Sequence, residues 1–440
     1  MRSLERALAL GAQVIAMQGT SADPGPYYLG AGKTFYPLGG VRRDLATLLP
    51  HSRAAGVPVV VSVGGAGARA SVQPVVDAVH EIAQEIGGTL RVAVIYADID
   101  KSWLTREVAA GSNIPRLGTW PTLSASLTCE DIGRSSNIVA QMGPEPIMRA
   151  LETGVDLVLC GRTLDASLFA ALPILRGCDP GVSLHMGKTV ECGAMAAIPG
   201  TGADGVIATV EDGRFTVEPL ALERRCTIRS IAAHSFYERS DPDYDDLPGG
   251  QLDTSKVTYD QIDPRTVRVV GSRWHPSERY TVKLEGAAVV GQRAICLAGV
   301  RDPIMIQQMD VLLDDVRAMV AERYDAASLK YTVDYRLYGR DAVMGSREPV
   351  RTVEQQELGL LIDVVAPSLD LAEDICAFAR SGVNHNEFPG CRTSAGNLAL
   401  AFSPSEIRVG PVYGFNIWHL LPLQDPCAPF QAEIMTLGAK

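Results

Sequence analysis

Four short stretches concentrate the side chains that can move protons or hold an anion. Gly19–Gly30 carries Ser21, Asp23, Tyr27 and Tyr28 among glycines and prolines. Prolines beside permissive glycines fix a loop, which a catalytic carboxylate needs; the plainer reading is a tight turn with Asp23 on backbone amides. Gly64-Gly65-Ala66-Gly67-Ala68-Arg69 precedes a helix whose expected cap is Ser71. Amides at such a helix start favour an anion, and Arg69 can pair with one, so Gly64, Gly65, Arg69 and Ser21 are candidate substrate contacts. Close packing of helix on strand explains the same glycines equally well. In Gly161-Arg162-Thr163-Leu164-Asp165, Arg162 can clamp a carboxylate through two parallel N–H bonds and Asp165 can serve as base. A capping Asp with a structural ion pair is the alternative. Asn384-His385-Asn386-Glu387 adds a histidine that titrates near neutrality and an amide able to bind substrate, or else a polar surface turn. The candidate catalytic set is therefore Asp23, Arg162, Asp165 and His385, with Ser21, Gly64, Gly65, Arg69 and Asn384 binding substrate.

Other chemistries find little support. No H-x-x-x-H or H-E-x-x-H spacing occurs, which argues against zinc. Asp23, Asp98, Asp100 and Glu191 could furnish an oxygen site for Mg²⁺, and no other cofactor is implied. The glycine loop matches neither the Gly-Lys-Ser/Thr phosphate loop nor G-x-G-x-x-G, and there is no G-x-S-x-G elbow. Cys192 and Cys160 lie near the proposed loops, but cysteine in such places is more often a small hydrophobe than a nucleophile.

The elements that must carry these loops read as strand–helix alternation. Apolar runs at Gln13–Met17, Val57–Val63, Leu90–Tyr96 and Asp156–Cys160 alternate with helical stretches at Val41–Ala55, Ser71–Ile86 and Glu145–Glu152. Continuous runs such as Val59-Val60-Val61 predict a parallel, doubly wound, Rossmann-like sheet, with the candidate loops at one rim of it. From about Gly205 the pattern changes to hairpins. Strands are expected at Tyr280–Leu284, Ala294–Ala298, Tyr331–Tyr338 and Leu358–Val365, with helices at Ile304–Tyr324 and Leu369–Arg380. The expected organisation is a parallel α/β domain over 1–200, a β-rich segment over 201–290 and an α+β lobe over 291–440.

Composition narrows the function further. The 440 residues are 46% hydrophobic and 21% charged, enough for a real core, and the net charge of −11 argues against coating nucleic acid. No apolar run reaches the roughly 18 residues that would span a membrane. Nine cysteines without a C-x-x-C pair suit a reducing cytoplasm.

Several segments together resemble the acyclic terpene utilisation AtuA family: Gly11–Gly30, Cys160–Leu172, Gly187–Gly193 (GKTVECG) and Asn384–Asn397. The resemblance covers nearly the whole chain. It implies catabolism of branched acyclic terpenes and other small organic acids through CoA thioesters. Relatives open with an additional strand and glycine loop, whereas this chain starts at Met1-Arg2-Ser3-Leu4 inside the first helix, so a sheet edge is expected to need cover and a homo-oligomer is expected. The leading reading is a lyase of the hydratase/dehydratase type on a branched carboxylic acid or its CoA thioester. Asp165 or Asp23 would be the base, Arg162 or Arg69 the clamp, and glycine-loop amides the carbonyl polariser. The alternatives are an isomerase or hydrolase on the same substrates, or a non-catalytic subunit that needs a small partner protein.

Overall fold

The computed structural model describes residues 2–350, 355–392 and 396–438. They form a mixed α/β protein with one largely parallel sheet and several antiparallel ones. In chain order come β1 (Ile15–Met17), α1 (Leu38–Ala54), β2 (Val59–Ser62), α2 (Arg69–Ile86), β3 (Leu90–Ile95), α3 (Glu145–Glu152), β4 (Leu157–Cys160) and α4 (Asp165–Leu175). The four strands run parallel in the order β1-β2-β4-β3, with Ile15 opposite Val59, Val59 opposite Leu157 and Val92 opposite Leu157. Strand Ala432–Leu437 adds antiparallel beside β3, Ala432 opposite Ile95.

Every residue of β2 and β4 is buried, as continuous apolar runs require when both faces are covered. Successive side chains point to opposite faces and feed two cores. Val60, Ala93 and Val158 pack with Ile147 of α3 and Leu168 of α4. Val59, Val92 and Leu157 pack with Leu45 of α1 and Val72 and Val79 of α2. Parallel pairing puts the carboxyl ends of β1 to β4 at one rim, where α/β sheets hold ligands. Thr20 there bridges Gly65, and the Ser21 amide donates to the Gly65 carbonyl at 2.9 Å. α2 begins at Arg69, with Ala68 rather than Ser71 at its cap; the Ser71 hydroxyl instead donates to the Ala68 carbonyl.

Next come α5 (Pro180–Val190), β5 (Val206–Glu211), β6 (Arg214–Pro219), α6 (Ile228–Ser235), β7 (Thr258–Gln261) and β8 (Val267–Val270). The antiparallel sheet β7-β8-β6-β5 rests Phe215, Val217, Val267 and Val269 on Val182, Met186 and Val190 of α5 and Ile231 of α6. α5 lies hard against α4: a Cβ on Gly187 would stand 2.4 Å from the Ala166 carbonyl oxygen. No Cβ could be accommodated there without the helices moving apart.

The chain divides into two compact units, Met1–Ala288 with Phe415–Lys440, and Val289–Gly414. The C-terminal strand thus belongs to the first unit, although its sequence follows the second. β9 (Tyr280–Val300) passes from one unit to the other as a single strand. Its two ends read as separate short strands in sequence, because Gly286 and Gly291 interrupt the pattern; a Cβ on Gly286 would meet Ile417 at 2.8 Å. The second unit then contributes α7 (Pro303–Arg323), β10 (Thr332–Tyr338), β11 (Leu358–Ala366) and α8 (Leu369–His385). β10, β11 and β9 pair antiparallel, and Leu312 and Val316 of α7 with Ile375 and Ala379 of α8 pack on Leu337, Leu360 and Ile362. Among the described residues no helix is long and apolar enough to cross a membrane.

Candidate active site

The rim of the parallel sheet is pinned by one buried arginine. Arg162, at the end of β4, is 4% exposed and binds Glu285 of β9 through Nε at 3.0 Å and Nη2 at 3.2 Å. Its Nη1 donates to the Thr163 and Thr20 carbonyls, tying the loops after β4 and β1 together. Lys283 also reaches Glu285, at 2.8 Å. Burial works against charge on Glu285, yet Arg162 and Lys283 overcome it and hold the carboxylate down at about 2. A Cβ on Gly67, which has φ +75°, would stand 2.3 Å from the Arg162 amide nitrogen. The glycine loop is therefore a close-packing device behind Arg162.

A second group of charges gathers beside this pin. Asp165 is the first residue of α4; Leu164 occupies the cap, and Asp165 makes no capping bond. Its Oδ1 lies 3.5 Å from Arg162 Nη1 and accepts no hydrogen bond. Burial raises its pKa, opposed by Arg162, a hydrogen bond from Gln18 and Lys188. Lys188 and Glu191 come from the last turn and the cap of α5, three residues apart on one face, with Nζ 2.6 Å from Oε1. Glu191 is 7% exposed, and burial pushes its carboxyl up to about 8; Lys188 opposes this, while Asp165 and Glu238 reinforce it. At neutral pH the Glu191 carboxyl therefore keeps its proton while lying close to other acids. The Lys188 ammonium is desolvated, and the charges of Glu238 and Asp245, joined by that of Glu191 once it ionises, favour its charged form.

Aromatic and sulfur groups lie near this cluster. The half-exposed Tyr36 phenol is pushed up by burial and by the charges of Asp165, Asp23 and Cys192. Lys188 Nζ stands 5.6 Å from the Tyr237 ring, and that ring stacks on His234. Burial and Glu191 push the Cys192 thiol up to about 11, so it is no thiolate nucleophile at neutral pH.

The residues singled out from sequence divide accordingly. Arg162 and Asp165 come within 3.5 Å of each other, and the charge of Asp23 acts on Arg162. Ser21 supports the turn, its Oγ accepting from the Asp23 amide at 3.0 Å. The two-nitrogen edge of Arg162, expected to clamp a substrate, is occupied by Glu285. Arg69, the other expected clamp, pairs with Glu433 at 3.0 Å at the surface and lies 3.4 Å over the Tyr96 ring. Gly64 and Gly65 serve packing, since a Cβ on either would strike Ser71 or Phe35 at 2.9 Å. Asn384 and His385 end α8 in the second unit, where Asn384 Oδ1 accepts from the Leu398 amide at 3.1 Å; of the stretch Asn384–Asn397, residues 393–395 lie outside the described residues. Asp98 accepts from the Arg69 amide and Asp100 caps the helix Lys101–Ala109, so two of the four carboxylates of the suggested Mg²⁺ set are engaged with backbone. Among the described residues no group of three or more His, Cys, Asp or Glu is placed to share a metal ion.

Sequence reasoning passed over Lys188, Glu238 and Tyr36. The signal for Lys188 was present: in Lys188-Thr189-Val190-Glu191 a cation and an acid sit at i and i+3, one helical face. Glu238 had none, because it precedes an acidic stretch that reads as a surface loop.

No curated protein and no solved structure gives a match to this chain. Residues 36–399 do match a family model, that of the acyclic terpene utilisation family protein AtuA. The match spans β2, β4, α4 and α5 and hence the cluster around Arg162, Asp165, Lys188 and Glu191, and covering most of the chain it shows that this protein belongs to the AtuA family.

Proposed function

We propose that the chain is a lyase of the hydratase/dehydratase type, acting in the breakdown of branched acyclic compounds on a branched carboxylic acid or its CoA thioester. The observation that supports this reading is the pairing of a buried Glu191, pushed up to about 8, with Asp165, which burial also raises but Arg162, Gln18 and Lys188 pull back towards the charged form. Dehydration needs two such groups at once. A base removes the proton next to the carbonyl, the electron pair forms the C=C bond, and an acid delivers its proton to the departing hydroxyl, which leaves as water. Asp165 is the base and Glu191 the acid; in hydration the roles reverse. Lys188 supplies positive charge where the enolate develops.

The test is turnover of a branched 2-enoyl-CoA and of the matching free acid, followed by proton NMR in D₂O. Hydration gives the hydroxy product with deuterium at the carbon beside the carbonyl. Asp165→Asn and Glu191→Gln should each lower the rate by about 10²-fold or more, with the fold intact. Free thiol without hydroxy product would make the protein a hydrolase, and a moved double bond without added oxygen an isomerase. No turnover until a second protein is added would mark a subunit of a larger enzyme.

A further inference from the structure

Arg239 follows Glu238, a non-glycine residue held at φ 61°, just after α6. Its side chain is 2% exposed, yet only Nη1 finds an acceptor, Thr254 Oγ1 at 3.0 Å. Nε and Nη2 are buried and have none. Asp245 Oδ2 stays 3.8 Å from Nε, an ion pair too long for a hydrogen bond. Nε and Nη2 form one edge of the guanidinium, and the same edge of Arg162 holds both oxygens of Glu285. Two buried arginines of one unit thus present the same fork; in Arg162 a carboxylate of the chain fills it, and in Arg239 none does.

The surroundings repeat the pattern. His185, one turn before Lys188 on α5, is fully buried; its Nδ1 lies 2.8 Å from Ser272 Oγ, and its Nε2 has no partner. His234 of α6 likewise leaves Nε2 unpartnered. The charge of Arg239 acts on His185 and Asp245, and that of Lys188 on Asp245, His234 and Glu191, so these groups lie within electrostatic reach of one another. Buried donors without acceptors are costly, doubly so on a cation, unless a bound group satisfies them.

We infer that the Nε/Nη2 edge of Arg239 is the anchor for a free carboxylate on the substrate. A planar carboxylate matches that fork with two parallel N–H···O bonds, whereas an ammonium offers only a point charge. Arg239 takes the clamp role first expected of Arg162 or Arg69. The acids Glu238 and Asp245 stand beside the anchor. A thioester substrate would then carry a second, free carboxyl group. The inference rests on reading this cluster as a substrate site, though not on which acid moves which proton.

Calorimetric titration of the full chain at pH 7 with 3-methylbutanoate, its amide and inorganic phosphate tests the anchor. The acid should bind roughly tenfold or more tightly than the amide, and also better than phosphate. Arg239→Gln should weaken the acid by about tenfold or more, with Arg239→Lys weakened too because it keeps charge without the fork. Asp245→Asn, which leaves the fork and removes its competing carboxylate, should tighten the acid, so the idea can still fail if Arg239→Gln does not fold. Glu191→Gln should bind the acid as wild type does while losing turnover. Absence of binding by wild type, equal binding of acid and amide, tighter phosphate, or unchanged binding in the Arg239 or Asp245 variants would overturn the anchor. Turnover of a neutral substrate with unaltered kcat/KM in Arg239→Gln would sink the anchor alone; acid binding that follows Arg239 without turnover would sink only the lyase.

Discussion

Glu191 and Glu285 are both buried glutamates, and their neighbours drive them in opposite directions. Glu285 has Arg162 and Lys283 within hydrogen-bonding range and ionises at about 2, whereas Glu191 has one lysine set against further acids and keeps its proton up to about 8. The folded chain therefore binds the Glu191 proton more tightly than an unfolded chain, whose glutamate titrates near 4.5. That stabilisation is full below pH 4.5 and is lost as pH rises to about 8, so Glu191→Gln should flatten the fall in Tm over that window. A Tm profile identical to wild type would mean Glu191 ionises normally. Glu285 has the opposite sign: its stabilisation is present above pH 4.5 and disappears as pH drops to about 2. Glu285→Gln should cost on the order of 3–5 kcal/mol in urea titrations at pH 7, because it strands the Arg162 charge in the interior. Residue types were legible in the sequence, where Arg162 and Asp165 stood out. Partners were not: nothing around Arg162 announces a carboxylate 123 residues away on β9 that takes its fork.

At the scale of elements, the site exists because α5 crosses α4 closely enough to bring Lys188 and Glu191 to Asp165. Gly187 permits that approach, directly before Lys188. Gly187→Ala should push the helices apart, costing about 1–3 kcal/mol from overpacking and reducing turnover more than distant core changes of equal cost. Equal stability and turnover in this variant would show that the close crossing is not needed. β2, β4 and the β5/β6 hairpin were legible, because unbroken valine and leucine runs and an Asp-Gly turn each admit few conformations. The crossing was not, since a helical glycine reads locally only as a weak helix former. Interior glycines also hid the continuity of β9.

For the molecule as a whole, the second unit exposes Val289, Val290, Leu400, Phe402 and Val409, apolar side chains that a partner surface would cover. A homo-oligomer is expected in sedimentation at micromolar concentration, and a monomer would count against it. The mixed α/β class was readable from strand–helix alternation, but the return of residues 415–440 to the first unit was not. Pairing across so long a separation in sequence leaves no local pattern. Strand Ala432–Leu437 closes the sheet beside β3, yet on the ribosome it is made only after all of Val289–Gly414. Throughout that interval β3 in the nascent chain has a bare, apolar edge, which other emerging chains can pair with. The first unit to be translated is thus the last to finish folding, and a synthesis pause within 289–414 should raise aggregation of the nascent chain.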